Sequence, residues 1–221
     1  MKKIIYDKIV NGSNPKIAFI AIHGWSGNKD SFKSIVPLFK MSDCTWYFPE
    51  GPYSVEGDHT RKSWASRNKD GGWDVNLTST LLQELLDNII LKQFKPENIF
   101  VIGFSQGAAV CYEFMLSLEY PFGGIFPVAG FLRGNIPSKG YAKKEVFNIN
   151  VHPKQINTPI LIGHGQDDDI VPIKSSKIAY KALKDANCNV DMYIYNGKHK
   201  IGIEYIKKVK SIVEVSLSES A

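Results

Sequence analysis

The run Gly103-Phe104-Ser105-Gln106-Gly107 carries the residue types of an activated serine nucleophile. It follows the strand-like segment 98–102 and precedes the small residues of segment 107–109, so the serine falls where a strand turns into a helix. Such a turn is sharp, and glycine on both sides of the serine leaves room for it. The sequence therefore predicts a nucleophilic hydroxyl at Ser105.

A serine hydroxyl needs a general base, and in the chain order typical of this strand-turn-helix nucleophile an acid and then a histidine follow the serine. His199 lies between the strand-like segment 190–195 and the helix-like segment 202–215. Because this is the place that the topology gives to the base, we predict that His199 is the base. His23 and His164 end strands ahead of the acid in sequence, and we assign structural hydrogen bonds to them.

The acid that orients the base is expected directly after segment 160–165, where Gln166 is followed by three aspartates. Asp167, Asp168 and Asp169 share one residue type and one loop. The residues alone therefore leave all three open as the acid.

Acyl transfer to a serine also needs donors for the negative charge that develops on the carbonyl oxygen. The helix that begins at Gln106 directs its free amides and its positive dipole end at the serine. A second donor is expected from an early loop, and the run His-Gly-Trp-Ser-Gly at 23–27 follows the strand-like segment 17–22. We predict that the backbone amides of Trp25 and Gln106 form an oxyanion hole.

Strand-like and helix-like segments alternate along the chain. The strands are predicted at 17–22, 45–48, 99–104, 124–128, 160–162 and 190–195, and the helices at 32–39, 77–94, 108–118, 175–186 and 202–215. This alternation predicts an α/β fold, a mostly parallel central sheet with helices on both faces. The length fits a single domain, residues 1–221, without a large lid domain. The aperiodic segments 51–76 and 131–158 are expected to wall the site.

The composition is that of an ordinary globular protein, with 43% hydrophobic residues and a net charge of +5 from scattered lysines. No basic block indicates nucleic-acid binding. No run approaches the roughly 18 apolar residues of a membrane span, and Asp7 ends the N-terminal apolar run too early for a signal peptide. Cys44, Cys111 and Cys188 lack the spacing of a metal site or a disulfide framework. We therefore expect a cytoplasmic protein without stable membrane insertion.

Five short runs carry a resemblance to a known family. They are His-Gly-Trp-Ser-Gly at 23–27, Phe-Pro-Glu-Gly-Pro at 48–52, Gly-Phe-Ser-Gln-Gly at 103–107, His-Gly-Gln-Asp-Asp-Asp-Ile-Val-Pro at 164–172, and His199 followed by Ile201. From about residue 17 to the last helix, the chain resembles the phospholipase/carboxylesterase family of the α/β-hydrolase fold. The family places its acid four residues after the histidine of His-Gly and four before the proline of Val-Pro, which implies Asp168.

The same resemblance implies that Trp73, Phe131 and Ile170 face the acyl or alkyl group, while core packing explains Phe131 and Ile170 equally well. It also implies an open site with neither a metal nor an organic cofactor. The chain departs from the family's pattern at three places. Relatives tend to carry an Arg-x-Trp-Phe-Asp-like segment before the long helix, whereas Gly71-Gly72-Trp73-Asp74 lacks the phenylalanine, so the similarity is partial at Trp73. Relatives often carry an aliphatic residue at the position of Trp25, and commonly a glycine at the position of Lys198.

Together these features predict a serine esterase that hydrolyses carboxylic esters of short to medium acyl chains through an acyl-enzyme. An acyl-protein thioesterase or a lysophospholipase is the alternative within the family, so the expected substrate is an ester, a thioester or a lysophospholipid. A catalytically inactive binding module is an alternative of a different class, and the complete set of catalytic residue types argues against it. Peptidase or dienelactone-hydrolase chemistry is a further rival, and a homodimer is compatible with the sequence.

Overall fold

The computed structural model describes residues 3–69, 72–133 and 149–219. The strands in these ranges are β1 (Tyr6–Asn11), β2 (Ile17–Ile22), β3 (Cys44–Pro49), β4 (Tyr53–Val55), β5 (Asp58–Ser63), β6 (Ser66–Arg67), β7 (Trp73–Asp74), β8 (Ile99–Phe104), β9 (Gly124–Val128), β10 (Ile160–Gly165) and β11 (Val190–Tyr195). The α-helices are α1 (Val36–Phe39), α2 (Asn76–Leu85), α3 (Gln106–Glu113), α4 (Ile173–Asp185) and α5 (Ile203–Glu219). No helix in the described ranges is long and apolar enough to cross a membrane.

Seven of the strands form one sheet in the order β1-β3-β2-β8-β9-β10-β11. The edge strand β1 runs antiparallel to β3, and the other neighbouring strands are parallel. Every residue of β2 is buried, as expected for a strand that helices cover on both faces. The predicted mostly parallel α/β sheet is therefore confirmed.

Alternate residues of β2 point to opposite faces of the sheet, and each face carries its own hydrophobic core. Ala18 and Ile20 belong to the cluster that includes residues of α2, α3 and α4. Ile17 and Phe19 belong to the cluster that includes residues of α1 and α5. On this second face the rings of Phe19 and Trp46 are stacked, with 4.2 Å between centroids. The helices thus lie on both sides of the sheet, as predicted.

Three predicted helices are shorter in the structure than the sequence pattern indicates. The predicted helix 108–118 is α3, which ends at Glu113, followed by a 3₁₀ turn, Met115–Ser117. The predicted helix 77–94 is α2 followed by a π-helical turn, Leu86–Ile90. The predicted helix 32–39 is a 3₁₀ turn, Lys33–Ile35, followed by α1. Lys40 ends α1 because it adopts a left-handed conformation with φ 47°, which a right-handed helix does not continue through.

Segment 51–76, which lacks periodicity, contains two small antiparallel hairpins, β4–β5 and β6–β7. Glu56 and Gly57 both have positive φ, the conformation of a tight hairpin turn. The first hairpin docks on the loop after β2, because the Ser26 amide donates to the Lys62 carbonyl and the Lys62 amide donates to the Gly27 carbonyl. Of the second aperiodic segment, 131–158, residues 134–148 lie outside the described residues.

The Phe19 side chain is fully buried against Phe39, Trp46 and Phe100. We expect Phe19→Ala to lower the free energy of unfolding by about 3–5 kcal/mol, because the cavity loses both burial and ring contacts. Leu38→Ala, on the exposed side of α1, is the control and should change it by less than about 0.5 kcal/mol. Urea unfolding followed by circular dichroism measures the free energy of unfolding of both variants. An equal decrease in the two variants would contradict the burial of Phe19 in the core.

Candidate active site

Ser105 occupies the turn between β8 and α3, and its backbone has φ 54° and ψ −113°. A non-glycine residue with this backbone is strained. The Ser105 amide donates to the Val128 carbonyl of β9 at 2.8 Å. A side chain at Gly103 would collide with the Gly107 carbonyl, and one at Gly107 would collide with the Ile22 carbonyl. The predicted strand-turn-helix arrangement is present, and its glycines are required by contact.

His199 and Asp168 are hydrogen-bonded, with 2.8 Å between His199 Nδ1 and Asp168 Oδ2. Because the carboxylate accepts this bond, Nδ1 carries the proton and Nε2 is left able to accept one. In the described structure neither Asp167 nor Asp169 is bonded to His199. Asp169 instead forms an exposed ion pair with Lys198 at 3.4 Å. Of the three adjacent aspartates, Asp168 is therefore the one that is bonded to His199.

The loop after β10 holds the Asp168 carboxylate in place. Its Oδ1 accepts the backbone amides of Ile170 and Val171, each at 2.9 Å. Burial by itself raises the pKa of Asp168, but the hydrogen bonds from His199 and from the two amides outweigh it. The net pKa is lower than usual. The carboxylate is thus both ionised at neutral pH and fixed in direction.

His164, at the end of β10, also supports the loop that holds Asp168. Its Nε2 donates to the Val171 carbonyl at 2.9 Å, and its Nδ1 accepts the Ser176 hydroxyl at 2.7 Å. The same Nε2 lies 3.4 Å from Asp168 Oδ2. Burial lowers the pKa of His164, so the ring is neutral and makes structural hydrogen bonds, as the sequence predicts.

His23 has the corresponding role at the end of β2. Its Nδ1 donates to the Gly24 carbonyl at 2.7 Å, and its Nε2 accepts the Gly51 amide at 3.0 Å. Burial lowers the pKa of His23 to about 4. The Trp64 indole donates to the His23 carbonyl at 2.8 Å, and the two rings are in contact. His23 therefore joins the early loop to segment 51–76.

The Gln106 side chain adds a contact that the sequence did not reveal. It is buried, its Oε1 accepts the Trp64 amide at 3.0 Å, and its Nε2 donates to Ser63 Oγ at 2.9 Å. Its backbone amide is the first of α3 and has no carbonyl partner within the helix. Gln106 thus anchors segment 51–76 with its side chain and offers its amide to the site.

Trp25 lies in the loop that faces the Ser105 turn. A Cβ on the preceding Gly24 would lie 3.4 Å from Ser105 Cβ, so the two backbones approach closely. Among the described residues the Trp25 amide has no hydrogen-bond partner. The Trp25 ring is 56% exposed and lies against the Arg61 guanidinium, which donates to Ser26 Oγ. The amide is thus available beside the serine while its ring forms a rim.

Phe104 joins the serine turn to the acid–base pair. It precedes Ser105 in the chain, and its ring lies 4.7 Å from the His199 ring, between centroids. Within the described part of the chain the Ser105 hydroxyl makes no hydrogen bond. In the described structure, Ser105 is therefore linked to His199 through the ring of its neighbour Phe104 and not by a direct hydrogen bond.

A cleft of about 340 Å³ opens beside His199 and Phe104. Its lining residues are Gly24, Trp25, Gly27, Ser31, Phe32, Ile35, Phe104, His199, Lys200 and Ile201. Trp73, Phe131 and Ile170 are not among them. The Trp73 ring contacts the Arg67 guanidinium at 3.8 Å, and Ile170 is 68% exposed. Their contact with a substrate stays a prediction.

A larger cavity, of about 540 Å³, lies at the amino ends of the parallel strands. Its lining includes Glu97, Gly123, Pro159 and Asn189, which lie just ahead of four adjacent parallel strands. Ligands of open parallel sheets bind at the carboxyl ends of the strands, where Ser105 lies. We therefore assign the candidate site to the smaller cleft.

No group of three or more His, Cys, Asp or Glu side chains in the described ranges is placed to hold a metal ion.

The sheet order and the strained serine turn define an α/β-hydrolase fold. The family model of phospholipases and carboxylesterases matches residues 6–217. The chain is 35% identical over 184 residues to acyl-protein thioesterase 1 of Kluyveromyces lactis, covering 75% of each protein. It is 26% identical over 216 residues to carboxylesterase SOBER1 of Arabidopsis thaliana, covering 90% of each. The crystal structure of esterase PE8 superposes with a TM-score of 0.77 at 19% identity, covering 97% of this chain and 99% of the other.

The chain belongs to the phospholipase/carboxylesterase family and is a hydrolase that acts on ester bonds. The resemblance noted in its five short sequence runs is thereby confirmed.

The low pKa of His23 predicts a stability that depends on pH. The folded protein keeps His23 neutral down to about pH 4, whereas the unfolded chain takes up the proton near pH 6.5. The contribution of neutral His23 to the free energy of unfolding is therefore complete above about pH 6.5 and is lost as the pH falls toward 4. The total loss is on the order of 3 kcal/mol. Urea unfolding from pH 7 to 4.5 should show a steeper loss for the wild type than for His23→Gln.

An independent measurement on the wild type is the NMR titration of the His23 ring, assigned by its absence in His23→Gln. We expect no inflection above pH 5. An inflection near 6.5 would contradict the buried, neutral state.

Proposed function

We propose that the protein hydrolyses carboxylic esters through an acyl-enzyme on Ser105, with His199 as the general base and Asp168 as the residue that orients it. The observation that carries the proposal is the 2.8 Å hydrogen bond between His199 Nδ1 and the buried Asp168 carboxylate. This bond fixes the ring so that Nε2 is the proton acceptor, which is the tautomer that serine activation needs.

In the first half of the reaction, the Ser105 oxygen attacks the ester carbonyl carbon while His199 Nε2 takes the hydroxyl proton. The negative charge on the former carbonyl oxygen is stabilised by the amides of Trp25 and Gln106 and by the positive end of α3. The alcohol then leaves with the proton from His199, and the acyl group stays on Ser105. Catalytic hydrogen bonds of a free enzyme are often long, and the Ser105–His199 bond forms in this scheme once substrate is bound.

In the second half, His199 removes a proton from a water molecule that attacks the acyl carbon, and Ser105 leaves with that proton. Asp168 stays ionised throughout and stabilises the imidazolium of each half-reaction. The lowered pKa of Asp168 supports this role, because its net cause is hydrogen bonding to the charged form.

Thioesters fit the same scheme, because the attacked group is an acyl carbonyl in both cases. The thioesterase name of the Kluyveromyces lactis relative supports this extension, and lysophospholipids share the ester linkage.

A cytoplasmic location belongs to the same proposal. Cys44, Cys111 and Cys188 are all buried free thiols, which suits a reducing compartment.

Replacement of the nucleophile tests the chemistry directly. Ser105→Ala should lower kcat for 4-nitrophenyl butyrate by at least about 10⁴-fold, because no hydroxyl remains to form the acyl-enzyme. A fluorophosphonate probe should label the wild type at Ser105 and leave the variant unlabelled. Ser13→Ala, in the exposed turn after β1, is the control and should keep both activity and labelling. Undiminished turnover by Ser105→Ala would overturn the assignment.

Two adjacent aspartates provide a matched pair for testing the orienting acid. Asp168→Asn should lower kcat by about 10³–10⁴-fold, because the amide no longer fixes the His199 tautomer. Asp169→Asn removes only an exposed ion pair with Lys198, and its kcat should stay within about twofold of the wild type. A comparable loss in both variants, or a larger one in Asp169→Asn, would contradict the role of Asp168.

A further inference from the structure

The cleft beside His199 combines an apolar wall with a single lysine. The wall consists of the side chains of Trp25, Phe32, Ile35, Phe104 and Ile201, and among the described residues no Asp or Glu lines the cleft. Lys200 follows His199 directly in the chain. Its carbonyl accepts a hydrogen bond from the hydroxyl of the buried Tyr195, which fixes the Lys200 backbone at the cleft.

The other cations near this cleft have carboxylate partners. Lys29 and Lys33 pair with Asp7 and Asp30, Arg61 with Glu56, Lys62 with Glu50, and Lys198 with Asp169. Lys200 has no carboxylate partner within the described ranges. The charges of these pairs cancel locally. The Asp168 carboxylate is bonded to His199 and is not among the residues that line the cleft, so Lys200 is the unpaired cation among those lining residues.

We propose that this cleft selects acyl groups that carry a terminal carboxylate, with the acyl chain on the apolar wall and the carboxylate paired with Lys200. The substrates of this class are monoesters of dicarboxylic acids. This inference rests on the proposed function, because it assigns the cleft to the acyl group of the ester that Ser105 attacks.

The size of the cleft agrees with a chain of medium length. A volume of about 340 Å³ accommodates about eleven non-hydrogen atoms, at about 30 Å³ for each water-sized unit. An eight-carbon acyl group with a terminal carboxylate has that size. Lys200 Cε lies beside Gly197 at the edge of this loop, and the flexible stem of a lysine lets its ammonium group turn to the end of such a chain.

The test compares mono-4-nitrophenyl suberate with 4-nitrophenyl octanoate. The two esters share a leaving group and a chain length, so the ratio of their kcat/KM values isolates the terminal carboxylate. Wild type, Lys200→Gln, Lys200→Arg and Lys198→Gln are measured at low ionic strength and in about 1 M NaCl, where the Debye length is about 3 Å. Circular dichroism establishes that each variant is folded.

At low ionic strength, Lys200→Gln should lower the suberate-to-octanoate ratio by about two- to fivefold, through KM, as expected for an exposed ion pair. Lys200→Arg should preserve the ratio because it keeps the charge. Lys198→Gln should also preserve it, because Lys198 faces Asp169. High salt should lower the ratio of the wild type and leave that of Lys200→Gln unchanged.

An unchanged ratio in Lys200→Gln, with both esters still hydrolysed, would overturn this inference and leave the proposed function intact. An equal decrease in Lys198→Gln would also overturn it, because a general basic surface would then be the cause. Failure of the wild type to hydrolyse the octanoate ester would instead contradict the proposed function. Should Lys200→Gln not fold, the salt dependence of the wild-type ratio decides, and a salt-independent ratio overturns the inference.

Discussion

The close approach of α3 to the end of β2 constrains the serine turn and the loops beside it, on which the rest of the candidate site depends. At Gly107 the helix backbone lies so near the Ile22 carbonyl that no side chain fits between them. This approach places the first amide of α3 next to the loop of Trp25 and forces Ser105 into its strained backbone. The strain is maintained because β8 and β9 hold the turn on one side and α3 holds it on the other. Gln106 extends the same constraint to segment 51–76 through its side chain.

The acid–base pair is supported separately, by β10 and the loops around it. His164 fixes the Val171 carbonyl, the Val171 amide fixes Asp168, and Asp168 fixes His199. This network and the serine turn are joined through β9, because the Ser105 amide donates to the Val128 carbonyl and the Ala129 amide donates to the Gly163 carbonyl. The Phe104 ring adds a contact with His199. None of these contacts sets the distance between the Ser105 hydroxyl and His199 Nε2. In the proposed reaction, that hydrogen bond forms once substrate is bound.

The sequence predicted the features that neighbouring residues determine. It missed the contacts between residues that are far apart in the chain. The turn at Ser105 and the parallel sheet were predictable because a strand, a turn and a helix follow one another along the chain. The residues alone did not distinguish Asp168 from its two neighbours, because the difference lies in which carboxylate the amides of 170 and 171 reach after folding, and only the family resemblance implied Asp168. The anchoring side chain of Gln106 was missed because its partner Trp64 is 42 residues away. Phe32 has helical apolar spacing, so its place in the cleft wall looks like ordinary core until the fold is known.

The rim of the site is open, and this openness determines how water is controlled. Trp25 and Ile170 are both largely exposed near the acid–base pair. In the proposed reaction, an acyl chain laid over this rim displaces water while Ser105 attacks, when the developing charge gains most from a dry surrounding. His199 remains partly exposed, whereas Asp168 is not. In the proposed reaction, departure of the alcohol therefore opens a path for water to the exposed side of His199, where deacylation needs it.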